Sequence, residues 1–275
     1  MATTAQPETL VSAHLSVQYG KKPAVLRDLH LELSRGEVLG LVGQSGSGKS
    51  TLAMAMLGLL DRSKTKVQGS IFFEGSDLLF LRENELRSLR GRKIGLVLQS
   101  PLSSLNPALR IRTQLREAWR AHVSGSSSDC DQAIRSALQS VTLPSDDEFL
   151  KKYPAQMSIG QAQQVLIAIN IIHRPALLIA DEATSALDVI TQAEILRLFR
   201  QLNQNFGMAI LYISHDLASV AGICDRVAIL HEGQIVEAGS THTLLTAPAH
   251  DYTQRLLASM PRMPQAIAVG KAAAR

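Results

Sequence analysis

A glycine-rich loop running from Gly43 to Thr51 constrains the fold of this 275-residue chain more than any other segment. It follows the apolar run Glu37–Val42 and precedes a helical pattern over Leu52–Leu60. A strand, the spacing G-x-x-x-x-G-K-[ST] and a helix together make a phosphate-binding loop (P-loop). Its backbone N–H groups surround phosphate oxygens, and the helix N-terminus adds partial positive charge. The sequence therefore predicts a site for the phosphates of a nucleotide.

Two side chains of this loop have separate predicted roles. Lys49 is expected to reach the β- and γ-phosphates of ATP, and the hydroxyl of Ser50 is expected to ligate Mg²⁺. We expect the rest of the loop to surround the nucleotide. The candidate nucleotide-binding residues here are Gly43, Gln44, Ser45, Gly46, Ser47, Gly48, Lys49, Ser50 and Thr51.

Short apolar runs recur along the chain, and a polar residue follows each of them. They are Ile94–Leu98, Leu177–Ala180 and Ala209–Ile213. Continuous apolar runs between helical patterns are typical of buried parallel strands, which predicts an α/β class with a mainly parallel sheet. Two further runs, Val227–Leu230 and Gln234–Glu237, flank Glu232 and Gly233 as in a β-hairpin.

The two remaining regions show other patterns. Apolar and polar residues alternate around Leu15–Tyr19 and Leu29–Leu33, which predicts an antiparallel β portion at the start. The segment Leu102–Tyr153 is helical in pattern, with a Ser/Gly-rich interruption at Ser124–Ser128. We interpret it as a helical insertion between strands.

Polar residues follow the predicted parallel strands, where ligands of open α/β sheets bind. Asp181 is expected to hold Mg²⁺, and Glu182 to polarise the attacking water as a general base. His215 is placed to hydrogen-bond the γ-phosphate, and Gln99 to complete the shell of Mg²⁺ or of the water. Taken alone, the acidic pair also fits a helix N-terminus favoured by the helix dipole. Convergence with Ser50 on one sheet edge favours the catalytic interpretation.

Two further candidates leave a structural alternative open. Ser158 and Gln161 have the spacing of a capping box before the apolar helix Ala162–Ile172. A helix N-terminus with Gly160 nearby also binds phosphate from another molecule. Tyr19 either stacks on an adenine ring or packs at a strand end.

The composition excludes some classes of protein. The formal net charge is +4 without a long basic block, so nucleic acid is not an expected partner. The two cysteines have neither metal-type spacing nor a disulfide framework. We see no signal peptide at the start, and no apolar run approaches the roughly 20 residues that span a bilayer. If the protein works at a membrane, we expect another chain to cross it.

Together these residues resemble the ATP-binding cassette (ABC) transporter ATPases, whose core is a RecA-like P-loop NTPase domain. The resemblance runs from about Leu10 to Met260. It implies an ABC ATPase domain over residues 1–260, a helical subdomain at about 102–160, and a C-terminal tail at 261–275. The matching segments are Gly43–Thr51 (Walker A), Leu177–Glu182 (Walker B), Gln99 (Q-loop), Met157–Gln161 (signature), Ser185–Asp188 (D-loop), His215 (switch histidine) and Tyr19 (adenine-stacking aromatic).

The resemblance also implies partners. Two such domains pair head to tail, so that Ser158, Gly160, Gln161 and Asp188 contact nucleotide shared with a second ATPase subunit, either a copy or a paralogue. Membrane-spanning permease subunits and, indirectly, an extracytoplasmic solute-binding protein complete the assembly. The implied location is the cytoplasmic face of the inner membrane. The implied cofactors are ATP and Mg²⁺.

A narrower resemblance is to the ATPases that energise import of oligopeptides, dipeptides or nickel. It rests on Gln99–Pro107, Ala186–Val189, Ser214–Leu217 and Pro248–Thr253, although Asp251 stands where Pro is typical. The predicted cargo is a small solute such as a di- or oligopeptide, nickel or a metal chelate. The alternatives are a soluble, non-transport ABC ATPase and a regulatory nucleotide-binding module that does not hydrolyse ATP.

The signature segment departs from the family pattern. Ile159 replaces the first Gly of the usual Ser-Gly-Gly, and Gln161-Ala162-Gln163-Gln164 replaces a stretch that normally contains Arg. A β-branched residue restricts the backbone. Our hypothesis is that one composite ATP site of an asymmetric pair is weakened.

Overall fold

The computed structural model describes residues 8–259 as two β-sheets with helices around them. The strands are β1 (Thr9–Tyr19), β2 (Leu26–Ser34), β3 (Val38–Val42), β4 (Thr65–Phe73), β5 (Ser76–Asp77), β6 (Ile94–Val97), β7 (Leu177–Asp181), β8 (Ala209–Ser214), β9 (Arg226–His231) and β10 (Gln234–Ser240). The helices are α1 (Lys49–Met56), α2 (Glu83–Leu89), α3 (Pro101–Ser104), α4 (Ile111–Arg120), α5 (Ser127–Ser140), α6 (Asp147–Lys151), α7 (Ile159–Ile171), α8 (Val189–Phe206), α9 (Leu217–Ile223), α10 (Thr241–Thr246) and α11 (Asp251–Ala258).

The six-stranded sheet has the order β10-β9-β3-β8-β7-β6. Strands β9, β3, β8, β7 and β6 are parallel, and β10 returns antiparallel to β9 through Glu232 and Gly233. The predicted α/β class, the mainly parallel sheet and the hairpin are therefore confirmed. This order brings the carboxyl ends of β3, β8, β7 and β6 to one edge.

The smaller sheet, of order β2-β1-β4-β5, is antiparallel. The expected antiparallel portion at the start is confirmed for β1 and β2. β4 was not predicted from the sequence, although it pairs with β1 along nine residue pairs from Val11–Phe73 to Tyr19–Thr65.

Helix α1 begins and ends earlier than the predicted Leu52–Leu60. It begins at Lys49 inside the glycine-rich loop and ends at Met56. The N–H of Leu59 donates to the carbonyl of Met54, and that of Gly58 to the carbonyl of Ala55, which closes the last turn.

The chain between β6 and β7 is helical, as the pattern of Leu102–Tyr153 predicted. The Ser/Gly interruption is shorter than expected, because Ser126 caps α5 and Ser127 already begins the helix. Helix α7 contributes both to this helical region and to the packing against β6. The subdomain limits at about 102 and 160 stay predictions, and the proposed tail at 261–275 lies outside the described residues.

Hydrophobic cores cover both faces of the six-stranded sheet. Along β3, Val38 and Val42 belong to the core on the side of the helical region, whereas Leu39 and Leu41 belong to the core beneath the antiparallel sheet. Each central strand is thus buried on both faces, which explains its continuous apolar sequence. Within residues 8–259, no helix is long and apolar enough to cross a bilayer.

Both cysteines are buried and unpaired, so no disulfide links them. Cys130 lies in α5 and Cys224 follows α9. Burial raises the pKa of both thiols.

Candidate nucleotide-binding site

The glycine-rich loop between β3 and α1 depends on glycine for its shape. Gly48 has a φ of 112°, a conformation that L-residues with a side chain rarely adopt. A Cβ atom added at Gly43 would lie 2.2 Å from the carbonyl oxygen of Leu230 on β9. The backbone can therefore curve tightly against the sheet.

The N-terminus of α1 opens into this loop. Among the described residues, no side chain caps the helix at Gly48, and its first turn contains no acidic residue. The helix dipole and the N–H groups of the first turn therefore face a cleft without a competing carboxylate from that turn. Such a helix end fits a phosphate group.

The side chain of Lys49 is buried, with 5% of its surface exposed. Its ammonium Nζ donates to the carbonyl oxygens of Gly43 at 2.7 Å and of Gln44 at 3.1 Å, and lies 3.9 Å from Oε1 of Glu182. Burial lowers the pKa of Lys49, and the Glu182 and Asp181 carboxylates oppose that effect. A positive charge is thus held at the centre of the loop.

Asp181 ends β7 beside the first turn of α1. Burial raises the pKa of its carboxyl group, and the neighbouring Ser50 hydroxyl opposes that rise. Among the described residues, the buried Oδ1 atom of Asp181 has no hydrogen-bond partner. A buried oxygen of this kind beside a serine hydroxyl suits a hard cation that prefers oxygen ligands, and Mg²⁺ fits that donor set.

Glu182 follows in a left-handed conformation with a φ of 49°. Its N–H donates to the carbonyl oxygen of Ile213 at 3.0 Å, which ties it to β8. Its Oε1 lies 3.4 Å from Nδ1 of His215, which follows the same strand. Non-glycine residues in this region are strained, and such strain concentrates at functional sites.

A cleft of about 260 Å³ is lined by Tyr19, by residues of the loop and by Glu182. The Tyr19 hydroxyl lies 3.5 Å from Oγ1 of Thr51, and its ring is half-buried at the end of β1. The lining residues other than Tyr19 and Thr51 are Val25, Ser45, Gly46, Gly48, Lys49, Ser50 and Glu182. An aromatic ring and a phosphate-binding loop that line one cleft match the base and the phosphates of a nucleotide.

A family model described as ABC transporter matches residues 26–185, which is more than half of the chain. The chain belongs to the ABC transporter ATPase family. ATP binding and hydrolysis, which the sequence predicted, are confirmed as activities of this ABC ATPase.

The ABC ATPase is similar to characterised transport subunits over most of its length. It is 40% identical over 254 residues to the dipeptide transport ATP-binding protein DppD of Escherichia coli strain K12, covering 91% of this chain and 78% of that protein. It is 41% identical over 238 residues to the oligopeptide transport ATP-binding protein OppD of the same strain, covering 86% of this chain and 70% of that protein.

Solved structures agree on the fold. cbiO1 from Clostridium perfringens, part of the ABC transporter complex cbiONQ, superimposes with a TM-score of 0.76 at 25% identity, covering 87% of this chain and 92% of that one. A dimeric ATP-binding cassette in a post-hydrolysis state, bound to ADP and Pi, gives a TM-score of 0.72 at 25% identity, covering 84% of this chain and 98% of that one.

The signature segment of the ABC ATPase lies apart from the cleft, at the start of α7. The Ser158 hydroxyl accepts from the N–H of Gln161, and Oε1 of Gln161 accepts from the N–H of Ser158, so the predicted capping box is formed. A Cβ atom added at Gly160 would lie 2.7 Å from Cγ2 of Thr191 on α8. Ile159 is 48% exposed. The segment therefore presents an exposed helix start beside α8.

Asp188 caps that neighbouring helix. Its carboxylate accepts from the N–H groups of Ile190 and Thr191 and from the Thr191 hydroxyl.

Gln99 lies just beyond β6 with an exposed side chain, at the same sheet edge as Asp181. Of the predicted residues, the structure brings together Tyr19, the loop, Asp181, Glu182 and His215. It leaves Gln99 at the rim and the signature residues outside the cleft that the described residues form.

A buried hydroxyl network that was not predicted from the sequence connects β8 with the segments after β7 and β8. The hydroxyl of Tyr212 on β8 lies 2.9 Å from Oγ1 of Thr184 and 3.2 Å from Oγ of Ser219. Thr184 follows Glu182 by two residues, and Ser219 follows His215 by four. A tyrosine inside an otherwise aliphatic strand was the available signal, since a buried Tyr hydroxyl usually has a partner.

Proposed function

We propose that this ABC ATPase energises the uptake of short peptides through a membrane-embedded permease. The observation that carries the proposal is the similarity to transport subunits named for dipeptides and oligopeptides, at 40–41% identity across 86–91% of the chain. A glutathione import ATP-binding protein of Salmonella typhimurium, itself named for a peptide-like solute, is 38% identical over 250 residues. These names favour peptides over the nickel or metal chelates that the sequence also allowed.

Glu182 acts in this proposal as the general base. Its carboxylate accepts the proton of the attacking water, and His215 at 3.4 Å orients that carboxylate and hydrogen-bonds the γ-phosphate. Lys49 balances the phosphate charge from the other side of Glu182. The left-handed backbone of Glu182 and its bond to Ile213 fix the base relative to β8.

Ser50 and Asp181 are proposed to hold Mg²⁺, with Gln99 contributing from the rim. The unpartnered Oδ1 of Asp181 among the described residues supports this assignment. When bound, Mg²⁺ neutralises charge on the β- and γ-phosphates. Tyr19 is proposed to stack on the adenine ring, supported by its place in the lining of the cleft beside the loop.

A second ATPase subunit is proposed to complete the site. Ser158, Gly160, Gln161 and Asp188 lie outside the cleft, and an exposed helix start suits contact with phosphates held by another chain. The dimeric form of the structurally similar cassette bound to ADP and Pi supports this arrangement. Ile159, with its branched and exposed side chain, is proposed to weaken the composite site to which this signature belongs.

The remaining partners are proposed from the family. Permease subunits dock on the ATPase pair at the cytoplasmic face of the inner membrane, and an extracytoplasmic solute-binding protein delivers the peptide. The absence of a spanning helix among residues 8–259 is compatible with this peripheral role.

The test is uptake of a radiolabelled dipeptide and a radiolabelled tetrapeptide by cells that carry or lack this chain. We expect uptake to disappear without the chain and to return with the wild-type protein but not with Lys49→Ala. Undiminished peptide uptake without the chain would contradict the proposed substrate class. Parallel measurement of ⁶³Ni²⁺ uptake identifies the alternative cargo.

A further inference from the structure

Two histidines face each other on the outer surface of the antiparallel sheet. His14 on β1 and His30 on β2 are direct register partners. Their rings are stacked, with centroids 3.8 Å apart and planes inclined by 23°. Both side chains are more than half exposed, so the pair is accessible from solvent.

A carboxylate joins this pair. Oδ1 of Asp28 lies 2.6 Å from Nε2 of His14 and 3.6 Å from Nε2 of His30. One ligand atom from each of the three residues lies within 4.8 Å of the others. The ligand atoms of the cluster therefore converge on a small volume.

A β-bulge fixes the position of Asp28. Between the pairs Leu15–Leu29 and Val17–Leu26, two residues of β2 oppose the single residue Ser16 of β1. Asp28 has a φ of 46°, and its N–H donates to the Ser16 hydroxyl at 2.9 Å. Bulges commonly re-aim a side chain, and this one holds the carboxylate beside both imidazoles.

We propose that His14, Asp28 and His30 bind a divalent transition-metal ion of the zinc type, with water completing the coordination. Ligand atoms about 2.1 Å from a tetrahedral ion lie about 3.4 Å from each other. The distance between Nε2 of His30 and Oδ1 of Asp28 is already close to that value. The distance between Nε2 of His14 and Oδ1 of Asp28 reaches it when side-chain rotation moves the two atoms apart by less than about 1 Å.

A simple ion pair accounts for less of the geometry. It explains the contact of His14 with Asp28, and the register of β1 with β2 places His30 beside His14, but neither explains why His30 approaches the same oxygen. The lone pair of a neutral imidazole nitrogen lies in the ring plane, so the two stacked rings must rotate apart for both Nε2 atoms to point to one cation. Both side chains are more than half exposed, which leaves them room for this rotation. Imidazole and carboxylate together favour zinc, copper, nickel or cobalt over Mg²⁺ and Ca²⁺. This site is therefore chemically distinct from the proposed Mg²⁺ site and independent of the proposed transport function.

The test is calorimetric titration of the full-length, tag-free protein with Zn²⁺ in excess Mg²⁺ and without nucleotide. We expect a single ion to bind and Co²⁺ in its place to give a visible absorption band of tetrahedral or five-coordinate type. His14→Gln and His30→Gln should each weaken Zn²⁺ binding by about tenfold or more. Asp28→Asn should also weaken it, and Asn tolerates the left-handed backbone that Asp28 adopts.

His242 provides the matched control, because it is an exposed histidine on α10. His242→Gln should bind Zn²⁺ as the wild type does. Circular dichroism of each variant establishes that it is folded. Failure of the wild type to bind Zn²⁺, or unchanged binding after His14→Gln and His30→Gln, would overturn the proposal. Equal displacement of Zn²⁺ by Mg²⁺ would overturn its chemical class.

Discussion

Oε1 of Glu182 lies 3.4 Å from Nδ1 of His215 and 3.9 Å from Nζ of Lys49. The carboxylate is thus held between an imidazole that follows β8 and an ammonium at the start of α1. This arrangement suits a base that accepts a proton while a neighbouring cation balances phosphate charge.

Glu182→Gln should retain ATP binding and lower turnover by about 10²- to 10⁴-fold, the usual contribution of a general base. Gln has nearly the same shape but cannot take a proton from water. Steady-state ATPase rates and equilibrium binding of a fluorescent ATP analogue measure the two effects. Glu194→Gln, an exposed change on α8, is the control. Turnover that stays within twofold of the wild type in Glu182→Gln would remove the base assignment.

Lys49→Ala should weaken ATP binding by about tenfold or more, because hydrogen bonds to charged groups are worth roughly 1.5–3 kcal/mol. The buried ammonium is also the donor to the carbonyls of Gly43 and Gln44, so the loop loses internal support. Binding titrations measure the loss. Lys64→Ala, which removes an exposed lysine, should leave affinity unchanged.

Asp181→Asn should melt at a higher temperature than the wild type when no nucleotide is present. Burial raises the pKa of Asp181 above its usual 3.8, so folding with this group ionised is unfavourable. The difference in stability should vanish below pH 3.8, where both folded and unfolded chains carry the proton. It should grow as the pH rises from 3.8 to the raised pKa of the folded chain and level off above it.

Scanning fluorimetry across pH measures this difference, and the same variant should lose Mg²⁺-dependent hydrolysis. Asp225→Asn is the opposite control, since that carboxylate pairs with Arg200 at 2.9 Å and accepts from the N–H of Val38. It should melt lower than the wild type. A lower melting temperature for Asp181→Asn would show that the buried carboxylate stabilises the fold.

Ile159→Gly should raise ATP turnover of the assembled transporter if the branched side chain reduces the space in which a phosphate of the partner's nucleotide reaches the signature segment. Ile159→Ala separates the effect of the branch from that of Cβ, and an intermediate rate is expected. ATPase assays on the complete complex are needed, because the signature acts on nucleotide held by a partner. Unchanged turnover and ATP affinity in Ile159→Gly would end the hypothesis of a weakened site.

Tyr212→Phe should lower the free energy of unfolding by about 1–3 kcal/mol, because it leaves buried hydroxyls of Thr184 and Ser219 with fewer partners. Urea denaturation measures the change. Tyr252→Phe is the matched control, since the buried Tyr252 hydroxyl has no partner within residues 8–259. It should be neutral or slightly stabilising. Equal losses in the two variants would contradict the importance of the Tyr212 network.

The parts predicted from sequence are those with local signals. The spacing from Gly43 to Ser50 encodes the loop directly, and the apolar runs before Asp181 and His215 encode the buried strands. β4 was missed although its residues alternate as in β1 and β2, because Gly69 interrupts the apolar face formed by Val67 and Ile71. Its stability comes from pairing with β1 far away in the sequence.

The contact of Asp28 with His14 and His30 was not predicted from the sequence for a similar reason. Their approach depends on the register of β1 with β2 and on one bulge, and neither feature has a short-range sequence signal. The capping role of the Asp188 carboxylate was likewise invisible, because the same aspartate suits either a D-loop contact or a helix N-cap.

The two buried thiols have a practical consequence for the dynamics of this ATPase. Because burial raises their pKa values and keeps them from solvent, alkylating reagents reach them only when the surrounding helices open. Cys130 reports on α5 in the helical region, and Cys224 on the packing of α9 against β3. The labelling rates of the two cysteines, measured with and without ATP, would therefore give the rate of local opening in each region separately.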